Sequence, residues 1–109
     1  MSTSADQQGR LTDPLPNLHD ATLNTVNFDW SRGVVSFAFK VDIGVSSIIE
    51  ATGVTELKCP RLLPWGPSDS VNSTAVEAFG DGQRLIIKMQ SGDVLEVCCR
   101  VVGYKPAPE

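Results

Sequence analysis

Val35-Ser36-Phe37-Ala38-Phe39-Lys40-Val41-Asp42-Ile43 sets a large apolar side chain at every second position. Successive side chains of a strand point to opposite faces, so Val35, Phe37, Phe39, Val41 and Ile43 share one face and need something to pack against. No helical stripe fits this spacing. The stretch reads as a strand with one wet face, and its neighbours repeat the pattern. Upstream, Val26, Phe28 and Trp30 take one face while Asn27 and Asp29 take the other. The two apolar sets must meet on one side of a hairpin, which puts Phe28 opposite Val35 and Val26 opposite Phe37. Trp30 to Gly33 is then a four-residue loop, with Gly33 as its left-handed residue.

Downstream, Gly44 ends the run. Ser47-Ile48-Ile49-Glu50 fits a helix capping box, but a helix here would reach Gly53 after little more than one turn. The segment from Ser46 is therefore read as a strand, kinked or bulged at Gly53 and continuing through Val54 to Cys59. Asn72 to Phe79 carries both signals, since Thr74 and Glu77 could cap a helix. Strand is favoured because the segment is short and Val76 falls outside the helical stripe. Gly80-Asp81-Gly82 is a turn. In the last hairpin Leu85, Ile87 and Met89 must share a face with Leu95, Val97, Cys99 and Val101. A turn with Gly92 left-handed achieves this by setting Ile87 against Leu95 and Leu85 against Val97, whereas a Ser91-Gly92 two-residue loop would bury Glu96.

The 109 residues make room for one domain, and 41% hydrophobic with 20% charged residues is an ordinary globular composition. Residues 1–17 hold too little apolar surface to offset ordering entropy and read as a flexible arm; 18–104 form the β domain, and 105–109 a flexible Pro-containing tail. Nine Lys and Arg against thirteen Asp and Glu leave a net charge of -4, with no basic cluster. That argues against nucleic acid and favours a basic protein partner. The cysteines Cys59, Cys98 and Cys99 are odd in number and lack framework spacing, which suits a reducing cytoplasm. With no apolar targeting segment and no run long enough to span a bilayer, the expectation is a cytoplasmic protein away from membranes.

Pro64-Trp65-Gly66-Pro67-Ser68-Asp69-Ser70-Val71-Asn72 is the one long connection among short turns. Its prolines and glycine hold Trp65 in one place. Either the indole folds back over the open end of the core, or it anchors a partner with Arg61 stacked beside it and Ser68, Ser70 and Asn72 supplying hydrogen bonds. His19 is the only histidine, which removes most catalytic triads and any multi-histidine metal site. Beside Asp20 it reads more readily as satisfying backbone groups where a strand begins than as a catalytic base. Cys98, with Arg84 and Arg100 nearby, is the best nucleophile on paper, yet no base or oxyanion donor accompanies it. The carboxylate pairs Asp42 with Glu50 and Asp81 with Asp93 could meet in space and bind a cation, but nothing in their spacing requires it and solvated turns are the ordinary reading. No catalytic residue, metal set or cofactor is assigned.

Three features, Leu18-His19-Asp20-Ala21 before a strand, Pro64-Trp65-Gly66-Pro67-Ser68, and Met89-Gln90-Ser91-Gly92-Asp93, resemble a set of small bacterial all-β proteins of uncharacterised function. The His-Asp start followed by hairpins is also similar to immunity proteins of bacterial polymorphic toxin systems. That resemblance implies protection of a cell by binding a toxin, and it implies no catalytic residue.

The expectation is an all-β antiparallel sandwich or strongly curved sheet of about six to seven strands, with at most one short helix. The function expected is a protein-binding module, immunity-like or scaffolding, that uses Pro64 to Asn72 with Arg61, Trp65, Ser68, Asn72, His19 and Asp20 as binding residues. The alternative is a small-ligand or enzymatic domain with a pocket near His19, Trp65 and Ser68. A homodimer is a further form, through the outer face of the last hairpin where Ile86, Val94 and Val102 interrupt the charge.

Overall fold

The structure, a computed structural model, describes residues 18–42, 45–63, 66 and 68–107. Ile43, Gly44, Pro64, Trp65 and Pro67, together with residues 1–17 and 108–109, lie outside the described residues. The elements are β1 (Thr22–Asp29), β2 (Val34–Asp42), β3 (Val45–Thr52), β4 (Glu56–Lys58), β5 (Val71–Phe79), β6 (Gly82–Met89), β7 (Val94–Cys99) and β8 (Val101–Ala107). They form two antiparallel four-stranded sheets, ordered β1-β2-β3-β8 and β4-β7-β6-β5. No helix occurs among the described residues, and the eight strands exceed the number expected from sequence.

Burial decides the registers as the alternation requires. Phe28 faces Val35 and Val26 faces Phe37, while Ile87 faces Leu95 and Leu85 faces Val97. Gly33 and Gly92 have the positive φ that their loops need. Val35, Phe37, Phe39, Ile49 and Ala51 of the first sheet meet Leu85, Ile87, Leu95 and Val97 of the second in one core. Each large side chain sealed there is worth about 1.5–3 kcal/mol relative to exposure. In β1 the register shifts by one residue at Asn24, so Leu23 and Val26 both turn inward and pack on that core.

Two junctions tie the sheets together. At the first, β3 runs into β4 and β7 into β8 around Gly53 and Arg100, with Arg100 N–H donating to Thr52 O and Thr55 N–H to Cys98 O, both at 2.9 Å. Gly53 has φ 71°, and a Cβ there would sit 2.7 Å from Arg100 Cβ. The chain bends at Gly53 as expected, but the single strand expected to run on through Val54 to Cys59 is two: β3 ends at Thr52 and β4 begins at Glu56 in the other sheet, because the bend carries the chain across the sandwich. It also changes the parity of the last strand: Val102 is fully buried while Val101 is half-exposed. Val101 was expected inward, and Val102 on an outer dimer face that it therefore cannot serve. β8 also extends past the boundary expected at Tyr104, pairing Pro106 with Ser47 and Ala107 with Ser46. As a sheet edge, it tolerates a proline that a central strand would not.

At the second junction the chain before β1 meets the chain before β5. Thr22 bridges Ser70, Leu23 N–H donates to Asp69 O, and Val71 N–H donates to Ala21 O. Between the junctions β1 and β4 remain sheet edges, and the sandwich stays open along them. Val41 was expected on the buried face of β2 but is exposed at the register shift between Lys40 and Asp42.

Candidate functional site

The connection from β4 to β5 is held by one buried carboxylate. Asp93 accepts the Leu62 N–H at Oδ1 and the Leu63 N–H at Oδ2, each at 2.9 Å, and the Ser91 hydroxyl at 2.9 Å. Leu63 has φ 51°, a left-handed conformation costly for a branched residue, and the double clamp fixes it there. Burial raises the pKa of Asp93, but the Leu63 and Leu62 N–H groups, the Ser91 hydroxyl and the Arg61 charge together outweigh it. The carboxyl titrates below its ordinary range. The clamp leaves Arg61 exposed and presents Leu62 with 81% of its surface in solvent.

At the far end of the same connection, three of the residues chosen from sequence converge. His19 Nδ1–H donates to Asn72 O at 2.9 Å, and His19 Nε2 lies 3.6 Å from Asp20 Oδ1. Asp20 N–H donates to Val71 O, and Asp20 Oδ1 accepts from Gln90 Nε2 at 2.6 Å. Ser68 stands one step away, its Oγ accepting the Ser70 N–H at 3.2 Å. The His19 side chain thus satisfies a backbone carbonyl at the start of β5, while the Asp20 carboxylate bonds the Gln90 side chain. Gln90, which also donates to Val71 O, joins the cluster without having been picked out by sequence. Trp65 lies outside the described residues, so the choice between cap and anchor concerns a side chain not placed.

The open side of the sandwich is a cleft. One wall is the edge of β1 from Leu23 to Asp29 with Trp30 of the loop that follows, and the other is Val54 to Arg61. Two hollows lie between these walls. One of about 340 Å³ is floored by Leu23, Val26, Met89 and Leu95 and rimmed by Arg61 and Asp69. The other, of about 300 Å³, lies between Phe28 and Trp30 on one side and Val54 and Leu57 on the other. Trp30 is 84% exposed and Phe28 41%, their rings edge to face at 5.7 Å. The alternation had placed both on the buried face. The Trp30 loop is braced by Asp29, whose Oδ1 accepts from the Ser31 hydroxyl and the Arg32 N–H. The Arg32 N–H, then the Ser31 hydroxyl, hold that carboxyl below its usual range.

Nothing comparable assembles around the cysteines. Arg84 is engaged by Glu77, and the Cys98 thiol donates to Glu56 Oε1 at 3.8 Å. Burial, with Cys98 adjacent, pushes the Cys99 thiol up to about 11, and burial raises Cys59 as well. Cys98 lines a groove with Gly53, Thr55 and Phe79 and not with His19. Asp42 and Glu50 pair with different residues, Val45 and Ser36, and Asp81 and Asp93 flank opposite ends of β6. No group of three His, Cys, Asp or Glu suited to a metal ion occurs among the described residues. In comparisons with protein-family models, with curated proteins and with solved structures, none matches the chain.

Proposed function

We propose that the protein is a binding module that receives an extended segment of a partner protein between β1 and Val54–Arg61, with Arg61 and Asp69 at one end. The observation that carries this reading is that two edge strands, one from each sheet, stand on either side of two hollows, one of which has Leu23, Val26, Met89 and Leu95 in its lining and the other Phe28, Trp30, Val54 and Leu57. An extended segment laid between these walls can fill the hollows with its alternate side chains without pairing to either edge. At about 3.3 Å per residue, the eight residues from Leu23 to Trp30 offer room for a segment of about seven. Trp30 and Phe28 supply the aromatic anchor typical of interfaces, and Arg61 flanks the other end. The net charge of -4 steers a basic partner toward the chain. The likeness of the His-Asp start to immunity proteins supports an inhibitory role for that binding, and the three free thiols support a reducing, cytoplasmic setting.

A second reading, a small ligand in the 340 Å³ hollow, is favoured by its size alone, which lies at the low end for ligand pockets. Partner capture with the parent protein and with a Trp30→Ala, Arg61→Ala double variant separates the two. Both side chains are exposed, so the variant stays folded, and capture falls at least tenfold if the cleft binds protein. Undiminished capture would refute the proposal.

A further inference from the structure

Four strand edges bound the two sheets: β1 and β8 on one, β4 and β5 on the other. Soluble proteins blunt such edges with short length, Lys, Pro or bulges, because an unguarded edge pairs with another chain. Three of these are blunted. β4 has three residues, two of them the charged Glu56 and Lys58. β8 carries Lys105 and Pro106. β1 is bulged at Asn24 and covered at its start by Asp69 and Ser70.

β5 is different. Over nine residues it has no Lys, Arg or Pro, and its one charge, Glu77, is held by Arg84. Its bulge, at Asn72, sits at one end and leaves Ser73 to Phe79 regular. Among the described residues the chain's own cover stops there too: Asp20 and Ala21 take the C=O and N–H of Val71, and His19 takes the C=O of Asn72. The Leu18–Ala21 turn, closed by Ala21 N–H to Leu18 O at 2.8 Å, then sends Leu18 into the core instead of along β5. Because β5 and β6 join through the two-residue Gly80-Asp81 turn, Phe79 and Gly82 form the hydrogen-bonded closing pair. Alternation then points the backbone groups of Thr74, Val76 and Ala78 toward the open edge.

We propose that β5 is a self-pairing edge, through which two copies of this chain join antiparallel about a two-fold axis at Val76. In that register Thr74 faces Ala78 of the other copy and exchanges hydrogen bonds with it, and Val76 faces its own counterpart. Ala75 faces Glu77, so no like charges stand directly opposite. Each Glu77 keeps its Arg84. One strand pair buries little surface, so the dimer is weak and concentration-dependent. It uses a different edge from the cleft and stands independently of it.

Sedimentation velocity from about 10 µM to about 1 mM tests this, the range in which a small interface is half-assembled. The parent protein shifts from monomer toward dimer across that range. Ala78→Pro, which removes an edge N–H, and Ala75→Glu, which sets glutamates opposite one another, each weaken assembly at least tenfold. Ala75→Arg, opposite Glu77, preserves or tightens it. Circular dichroism checks that each variant is folded; if Ala78→Pro is not, the two Ala75 variants decide. A monomer at every concentration, whether β5 is bare or covered by residues 1–17, overturns the proposal. So do folded Ala75 variants of opposite charge that assemble alike.

Discussion

Replacing Trp30 with alanine separates presentation from packing. The indole is 84% exposed, so about one sixth of a surface of about 250 Å² is hidden, or about 40 Å². At about 25 cal/mol per Å² this is about 1 kcal/mol, most of it in the edge-to-face contact with Phe28. Trp30→Ala is therefore expected to lower unfolding free energy by about 1 kcal/mol or less, read from the urea midpoint at unchanged slope. An interface tryptophan of the hot-spot kind costs 2 kcal/mol or more on truncation, about 30-fold in affinity. The variant should thus bind its partner far more weakly while folding almost as well as the parent. A stability loss above about 2 kcal/mol, beyond what the hidden area supplies, would show that the indole is packed and refute the reasoning.

Phe37, fully buried between the sheets, sets the opposite case: Phe37→Ala should cost about 3–5 kcal/mol in the same urea titration. Gly53→Ala combines a left-handed φ with a Cβ 2.7 Å from that of Arg100, and thermal unfolding should report a loss of about 1–3 kcal/mol. Asp93 has a depressed folded-state pKa, so its contribution is present above the unfolded value of about 3.9 and is lost as pH falls through the lower folded value. The stability gap between parent and Asp93→Asn should accordingly be constant above about pH 5 and close below about pH 4, in urea titrations run across that range.

Hairpin registers were legible in the sequence because burial leaves one solution: Phe28 against Val35 and Ile87 against Leu95 are the pairings that keep charges wet. The same alternation misplaced Trp30 and Phe28, because period two says which side of a strand a residue takes and not whether a facing sheet reaches that far. Val101 and Val102 exchanged faces because the chain turns a corner at Arg100, an effect of three-dimensional packing that no local spacing encodes. β8 was hidden by Gly103 and Pro106, residues an edge strand accepts. His19 and Asn72 lie 53 positions apart, so their hydrogen bond could not be read from spacing. The Asp93 clamp did leave a trace, since Ser91 and Asp93 are polar residues beside the inward-facing Met89 and Leu95.

Hydrogen–deuterium exchange on the protein with and without a peptide selected for binding tests the cleft most directly. Slowed exchange in Leu23–Asp29 and Glu56–Lys58, the two walls, is the result expected. Protection confined to β8 or the outer faces of the sheets, with both walls unchanged, would contradict the account.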